Sequence, residues 1–313
     1  MRNTPKRVVV LGGYGAVGAH TTALLRSAGH TVITTGRDPA RADHLLNIRD
    51  HAAAAAMARG ADIVINATGA EDPGLAMSVT GAGAVLIDIT ATQSYLEDLA
   101  RHHHTAPILV SVGVAPGITN LLAAELHRRT PGPIDIVIML GAGKKHGAAA
   151  TEWTNRLVGA HFTTPDGTRV RNFSSSRVFR LPNHGRRRAY RADFSDQHVL
   201  SRDLGTPVRS YFLLDSRAAT GALAILTRLP GPPRMPAGMP VPGATDRFLL
   251  LARATSGEAV YVPGREQSRA TAAVTAAMVT FAHRLQPGIQ HIHHIAELDE
   301  VARITGLTVG QQS

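Results

Sequence analysis

Residues 8 to 18 read Val-Val-Val-Leu-Gly-Gly-Tyr-Gly-Ala-Val-Gly. An apolar run of strand length, Arg7 to Leu11, meets Gly13-x-Gly15-x-x-Gly18 and continues into a helix with Ala16, Val17, Leu24 and Leu25 on its apolar face. This strand–turn–helix grammar permits few folds. Gly13 allows a tight turn off the strand, Gly15 leaves room for a pyrophosphate at the backbone, and Gly18 lets helix and strand approach closely. The helix N-terminus then offers unpaired N–H groups and the positive end of its dipole to an anion. A dinucleotide is the expected ligand, with Gly13, Tyr14, Gly15, Ala16 and Val17 around its pyrophosphate.

The next strand, Thr31 to Thr35, bears on which dinucleotide. A carboxylate at its end would accept from a ribose 2′-hydroxyl, whereas this chain has Thr35-Gly36-Arg37. A guanidinium holds a 2′-phosphate by charge-assisted hydrogen bonds, so NADP is expected over NAD. In the competing reading Arg37 is an exposed loop arginine and Asp38 takes the ribose.

Strand and helix signals alternate through the first 130 residues. Strands are expected at Thr31 to Thr35, Asn47 to Arg49, Asp62 to Ala67, Ala84 to Ile89 and Ile108 to Val114. Helices are expected at Ala16 to Ser27, Pro39 to Leu46, His51 to Arg59, Gln93 to His103 and Leu121 to His127. The alternation predicts an α/β fold, a doubly wound parallel Rossmann sheet with helices on both faces. Ligands of such sheets lie at the carboxyl ends of the strands. Asn66, Ala67, Thr68 and Gly69, then Thr90, and then Gly113, Pro116 and Gly117 are therefore further cofactor-binding candidates. Thr119 or Asn120 is placed to cap the following helix, whose start could receive a substrate carboxylate.

From Pro131 longer strands and turns such as Thr164-Pro165-Asp166-Gly167 predict a second, α+β domain built on a mixed sheet. Its expected strands are Ile134 to Leu140, Arg169 to Asn172, Arg177 to Leu181, Ala189 to Asp193, Arg209 to Leu214 and Phe248 to Arg253. Helices are expected at Ala148 to Gly159 and Arg217 to Arg228, and the Pro- and Gly-rich residues 230 to 242 read as a loop. The long apolar-sided helix Gln267 to Leu285 is expected to return to the first domain. The implied division is 1–130, 131–255 and a C-terminal helical segment, 256–313.

The net charge is +10, and of 33 lysines and arginines only Lys6, Lys144 and Lys145 are lysine. Arginine in an alanine-rich chain reads as codon bias rather than a nucleic-acid surface. The densest run, His184 to Arg191, carries one aromatic and no binding module, so it is expected to be a solvated loop or a fence attracting an anionic substrate, with no nucleic-acid partner. No apolar run approaches the ~18 residues of a membrane span, and the N-terminus lacks a signal h-region. Zero cysteines exclude disulfides, thiolate nucleophiles and cysteine metal sites. A cytoplasmic protein with no membrane partner is expected.

Familiar catalytic sets fail. No tyrosine is followed by lysine four residues on, and neither a Gly-x-Ser-x-Gly elbow nor a His-Glu-x-x-His helix occurs. His102–His104 and His291, His293 and His294 cluster in sequence, but neighbouring side chains should point apart, so no metal is expected. Lys145 and His146, in a glycine-rich stretch after the second domain's first strand, are candidates for binding a carboxylate or protonating an atom that receives hydride. In Asp193 to His198, Asp196 reads as a helix cap.

With these residues in view, the chain resembles the saccharopine dehydrogenase/reductase-like family. The likeness rests on Gly12–Gly18, Asp62–Gly69, Leu86–Thr90 and the run Gly113-Val114-Ala115-Pro116-Gly117-Ile118-Thr119-Asn120-Leu121-Leu122-Ala123. It implies hydride transfer between a nicotinamide cofactor and the carbon of a C=N bond, in a homodimer; taken with Arg37 and the helix start after Gly117, the expectation is NADPH-dependent reduction of an imine or related double bond of a small, carboxylate-bearing substrate. Lys145, His146 and Thr119 are then the catalytic candidates. A non-catalytic NADP sensor is the alternative.

Overall fold

In the computed structural model, residues 4–90, 92–141, 155–229 and 245–312 are described. The chain divides into two compact units, Met1–Gly117 with Ser268–Thr305, and Ile118–Gln267 with Gly306–Ser313.

The first unit is built on β1 (Arg7–Leu11), β2 (Thr31–Gly36), β3 (His44–Leu45), β4 (Ile63–Asn66), β5 (Val85–Asp88), β6 (Pro107–Val110) and β15 (Gly288–His291). They pair in the order β15-β6-β5-β4-β1-β2-β3, every pair parallel. Val8, Val9 and Val10 are wholly buried, as a central parallel strand covered on both faces requires. The crossovers are α1 (Gly18–Ser27), α2 (His51–Ala58), α3 (Pro73–Gly81) and α4 (Gln93–Ala100). The order reverses at β1, so the crevice of this doubly wound sheet opens where β1 and β4 end, with Leu11 in register with Asn66 on one side and Thr35 on the other.

Two local expectations give way. Residues 39–46 are not a helix: Asp38 Oδ1 accepts from the Ala40 N–H (3.0 Å), and Asp43 Oδ2 accepts from the Thr34 N–H and hydroxyl (both 2.8 Å). Those side-chain bonds draw the segment into β3 beside β2, where the Leu46 N–H reaches Gly36 O at 2.9 Å. The strand expected at Asn47 to Arg49 therefore lies a few residues earlier. Helix α3, unanticipated in sequence, begins with Pro73 under an Asp72 cap.

The second unit carries a mixed sheet in the order β10-β11-β12-β7-β13-β14-β16. Its strands are β7 (Ile134–Leu140), β10 (Ser176–Leu181), β11 (Gly185–Arg191), β12 (Val208–Leu214), β13 (Arg247–Ala254), β14 (Ala259–Arg265) and β16 (Gly310–Gln312). Only β7 and β12 run parallel, and β8 (His161–Thr163) and β9 (Arg169–Arg171) form a separate hairpin. Val137, Met139, Tyr211, Leu213, Leu249 and Leu251 form one buried face. The same unit holds α5 (Thr119–Arg129), α6 (Ser195–Asp203) and α7 (Arg217–Leu226), while α8 (Gln267–Phe281) runs into the first unit.

The arginine run is not a solvated loop. Its residues form β11, and strand alternation buries Arg187 and Arg191 while exposing Arg186 and Arg188. Arg187 is tolerated inside because its Nη2 donates to Leu214 O (2.8 Å) and Asp215 O (2.9 Å). Residues 230–242, and most of 148–159, lie outside the described residues.

Candidate functional site

The glycine turn after β1 divides its labour differently from expectation. The left-handed backbone falls on Gly12 (φ +73°), not Gly13, and Gly12 N–H donates to Thr35 O at 3.1 Å. Gly13 is required by space, since a Cβ there would lie 2.5 Å from Thr34 Cβ. At Gly18 a Cβ would stand 2.2 Å from the Gly12 carbonyl oxygen, so the third glycine sets the approach of α1 to the turn. Gly15 N–H closes the turn on Gly12 O at 2.9 Å.

Helix α1 starts with Val17 in the capping position, no side-chain cap and no acid in its first turn. By contrast α2, α3 and α4 are capped by Asp50, Asp72 and Thr92. The N–H groups that a side chain would have taken are left to an anion at the turn.

Tyr14 joins the turn to the end of β2. Its hydroxyl accepts from the Arg37 N–H (2.9 Å), its carbonyl accepts from Arg41 Nη2 (3.1 Å), and Arg41 Cζ stands 4.4 Å from the ring centroid. The ring lies against Gly36, where a Cβ would come within 2.1 Å of Tyr14 Cε1. The Arg37 guanidinium is exposed and has no partner among the described residues, whereas Asp38 Oδ1 is used in its own turn. Thr35 is buried, with a hydroxyl that has no partner among the described residues.

Across the crevice, Asn66 is held from behind. Its Nδ2 donates to Asp88 Oδ2 and to Ala70 O, both at 3.0 Å, and its Oδ1 accepts from the Thr68 N–H (3.2 Å) and hydroxyl (2.7 Å). Gly69 is left-handed (φ +79°), and the Ala67 carbonyl and Thr68 methyl pack against Gly12. Wholly buried Asp88 also accepts from Tyr95 Oη (2.8 Å), the Thr90 N–H (2.9 Å) and the Thr90 hydroxyl. Desolvation outweighs these donors and pushes the Asp88 carboxyl up to about 6. Burial beside that carboxyl drives the Tyr95 phenol up too, so it stays a donor.

The run Gly113–Asn120 crosses from one unit to the other. Gly117 is left-handed (φ +137°), and Gly113, Pro116 and Gly117 form the bend expected of them, with Gly113 against Pro116 O and Thr271. Neither Thr119 nor Asn120 caps α5, since Ile118 holds that position and the helix begins at Thr119. Both side chains are wholly buried, and the Thr119 hydroxyl faces Asp196, favouring its charged form. Asp196 is likewise no cap. It lies inside the first turn of α6, takes the Ser210 hydroxyl on Oδ1 at 2.6 Å, and is pushed up by burial. Lys145 and His146 lie outside the described residues.

The side chains of His291, His293 and His294 do not point apart as expected. The rings of His291, His293 and His294 lie 4.4 to 5.8 Å apart, and His291 Nδ1 is 2.9 Å from Ser111 Oγ. The chain bends at the β15 end, where Ile292 starts a new helix, and this brings the three side chains together.

Sequence reasoning missed Gly12 as the turn residue, Arg41 as the partner of Tyr14, and Asp88 with Tyr95 behind Asn66. A usable signal existed for Arg41, four residues beyond Arg37, but it was hidden by the helical reading of 39–46.

The NAD dependent epimerase/dehydratase family profile matches residues 8–113, most of the parallel-sheet unit. No curated protein matches the chain. Among solved structures, homospermidine synthase from Legionella pneumophila in complex with NAD is similar at 12% identity and TM-score 0.73, over 98% of this chain and 91% of that one. Apo saccharopine dehydrogenase (L-Glu forming) from Saccharomyces cerevisiae is similar at 11% identity and TM-score 0.60, over 98% of this chain and all of that one. An engineered D-amino acid dehydrogenase bound to NADP+ shares 14% identity at TM-score 0.51, over 94% and 95%. No helix among the described residues is long and apolar enough to cross a membrane. By fold, the chain stands with saccharopine dehydrogenase and homospermidine synthase.

Proposed function

We propose that this chain is an NADPH-dependent oxidoreductase that reduces the C=N bond of a small, carboxylate-bearing imine. The observation that carries the cofactor half is the turn after β1: an uncapped helix start behind glycines whose added Cβ atoms would collide, with a guanidinium at the neighbouring strand end that has no partner among the described residues. The pyrophosphate would rest in the turn from Gly13 to Val17 on the N–H groups of Tyr14, Ala16 and Val17, those of Gly13 and Gly15 being held by Thr35 O and Gly12 O. Arg37 would pair with the 2′-phosphate. Asn66 to Gly69 would meet the ribose or adenine side of the cofactor, with Thr90 and then Gly113, Pro116 and Gly117 beyond them.

The chemical half is supported by the company the fold keeps, a saccharopine dehydrogenase, a homospermidine synthase and a D-amino acid dehydrogenase. Bound NADPH supplies the hydride. The C=N carbon receives it as the π bond opens, and the nitrogen of a protonated imine keeps its proton to leave as a neutral secondary amine. Such an electrophile requires little further acid help, so positioning and exclusion of water supply most of the rate. Lys145 and His146 would hold the substrate carboxylate. The working form is a homodimer.

Cofactor choice is tested by titrating the protein with NADPH and NADH while following nicotinamide fluorescence. NADPH should bind at least about tenfold more tightly, and Arg37→Ala should remove the difference, as expected for one charge-assisted phosphate contact. Equal affinities in the unaltered protein would refute the NADP assignment.

A further inference from the structure

The second unit contains a cavity of about 250 Å³ that none of the dinucleotide chemistry uses. Among the described residues its polar lining is Thr164, Asp166, Arg191, Ser201, Thr206 and Arg209. It lies at the amino-terminal end of β12, beside the tip of the β8–β9 hairpin.

Its back wall is a guanidinium with an unmet donor. Arg191 is 8% exposed, and one of its nitrogens has a protein acceptor, Nη2 to Gln197 Oε1 at 2.8 Å. Nε, also buried, has none among the described residues. The group is also fixed in place, with its Cζ 5.6 Å from the ring centroids of both Phe162 and Tyr211. A buried cation with an unsatisfied donor is costly unless an anion completes it. Among the described residues Asp135 and Asp166 stand near enough to attract the Arg191 charge, but neither accepts a hydrogen bond from it. Asp135 is paired with Arg177, and its Oδ1 stands 3.9 Å from Arg209 Nη1. Asp166 is turned to the Thr164 hydroxyl and to the Thr168 N–H (3.1 Å).

The charges lining the cavity are thus two guanidiniums, Arg191 and Arg209, facing one carboxylate. Asp166 is held down to about 2 by its hydrogen bonds and stays ionised at neutral pH. A carboxylate alone would meet Asp166 unfavourably, and an ammonium alone would meet both arginines. A molecule bearing both groups satisfies each wall. The volume lies below the ~300–1,000 Å³ that drug-sized ligands occupy, so the occupant is small.

We infer that this cavity binds a free zwitterionic α-amino acid, its carboxylate on Arg191 and Arg209 and its ammonium on Asp166. The inference is independent of the cofactor assignment, because every residue involved lies in the second unit and none belongs to the glycine turn.

Titration calorimetry on the full chain tests it, with L-alanine, L-glutamate, propionate and inorganic phosphate as probes. At least one amino acid should saturate, binding more tightly than propionate or phosphate. Arg209→Gln should weaken it about tenfold, as for loss of a charged hydrogen bond. Asp166→Asn should weaken the amino acid about threefold while sparing propionate, because an exposed ion pair contributes less than about 1 kcal/mol. Neither side chain lies in the core, so thermal unfolding of both variants should match the parent and thereby separate lost binding from lost folding. No saturation by either amino acid, phosphate binding as tightly as the amino acid, or unchanged affinity in both variants would overturn the assignment. In the last case an amino acid would be occupying another site, and the proposed reductase function would be untouched.

Discussion

The guanidinium of Arg41 stacks on the ring of Tyr14, 4.4 Å from Cζ to centroid, while its Nη2 donates to the Tyr14 carbonyl. Arg41 therefore fixes the tyrosine that links the glycine turn to the end of β2. Arg41→Ala should weaken NADPH and NADH equally, by about three- to tenfold, for one cation–π contact and one hydrogen bond. Arg37→Ala should weaken NADPH alone. Fluorescence titrations with both nucleotides distinguish the roles, and selective loss of NADPH in the Arg41 variant would contradict this one.

Gly18→Ala places a methyl 2.2 Å from the Gly12 carbonyl oxygen, a backbone atom that cannot swing away. Overpacking of this kind costs about 1–3 kcal/mol. Urea unfolding should show that loss together with weakened dinucleotide binding. Gly29→Ala is no control here, since Gly29 is left-handed (φ +86°), but Gly81→Ala, where the new methyl meets nothing within 4 Å, should leave both properties intact.

Asp88 makes stability depend on pH. Its folded value of about 6 lies above the ordinary 3.8, because burial disfavours the charge. The protonated form is thus favoured by folding, and the stabilisation is fully present below pH ~4 and lost as pH rises through about 6. A shift of roughly two pH units corresponds to about 3 kcal/mol. Urea midpoints of the parent and of Asp88→Asn, measured from pH 4 to 7, should diverge by about that amount, the parent losing stability relative to the variant as pH rises. A difference constant across the range would contradict the assignment.

The two faces of β11 predict opposite outcomes for neighbouring arginines. Arg187→Ala removes a buried side chain and strands the Leu214 and Asp215 carbonyls, costing about 2–4 kcal/mol. Arg188→Ala, on the exposed face, should change stability by less than about 0.5 kcal/mol. Thermal unfolding of the pair checks this, and equal losses would contradict the burial of Arg187 and exposure of Arg188.

What was legible in sequence was whatever local chemistry decides. The parallel sheet follows from apolar runs such as Val8–Leu11 and Ile63–Ile65, and the glycine turn from spacing alone. Three things were not legible. The left-handed position fell on Gly12 because the backbone path depends on where Thr35 O and Ala67 lie, which no spacing records. Residues 39–46 have helical propensity, yet Asp43 bonds to Thr34 on another strand and overrides it. The run from Gly185 to Arg191 reads as solvated charge because composition says nothing of the carbonyls and rings that receive Arg187 and Arg191 inside the sheet.

The most direct test of the central claim is the fate of the hydride. The protein would be incubated with NADPH carrying deuterium at nicotinamide C4, in each of the two stereochemical forms, and with pairs of a carboxylate-bearing carbonyl compound and an amine that condense to imines. Mass spectrometry should find a secondary amine labelled at the former imine carbon with one of the two forms, formed as reduced cofactor is consumed. Full NADPH binding without any labelled amine across the panel would contradict reduction of C=N bonds and leave the dinucleotide site without this chemistry.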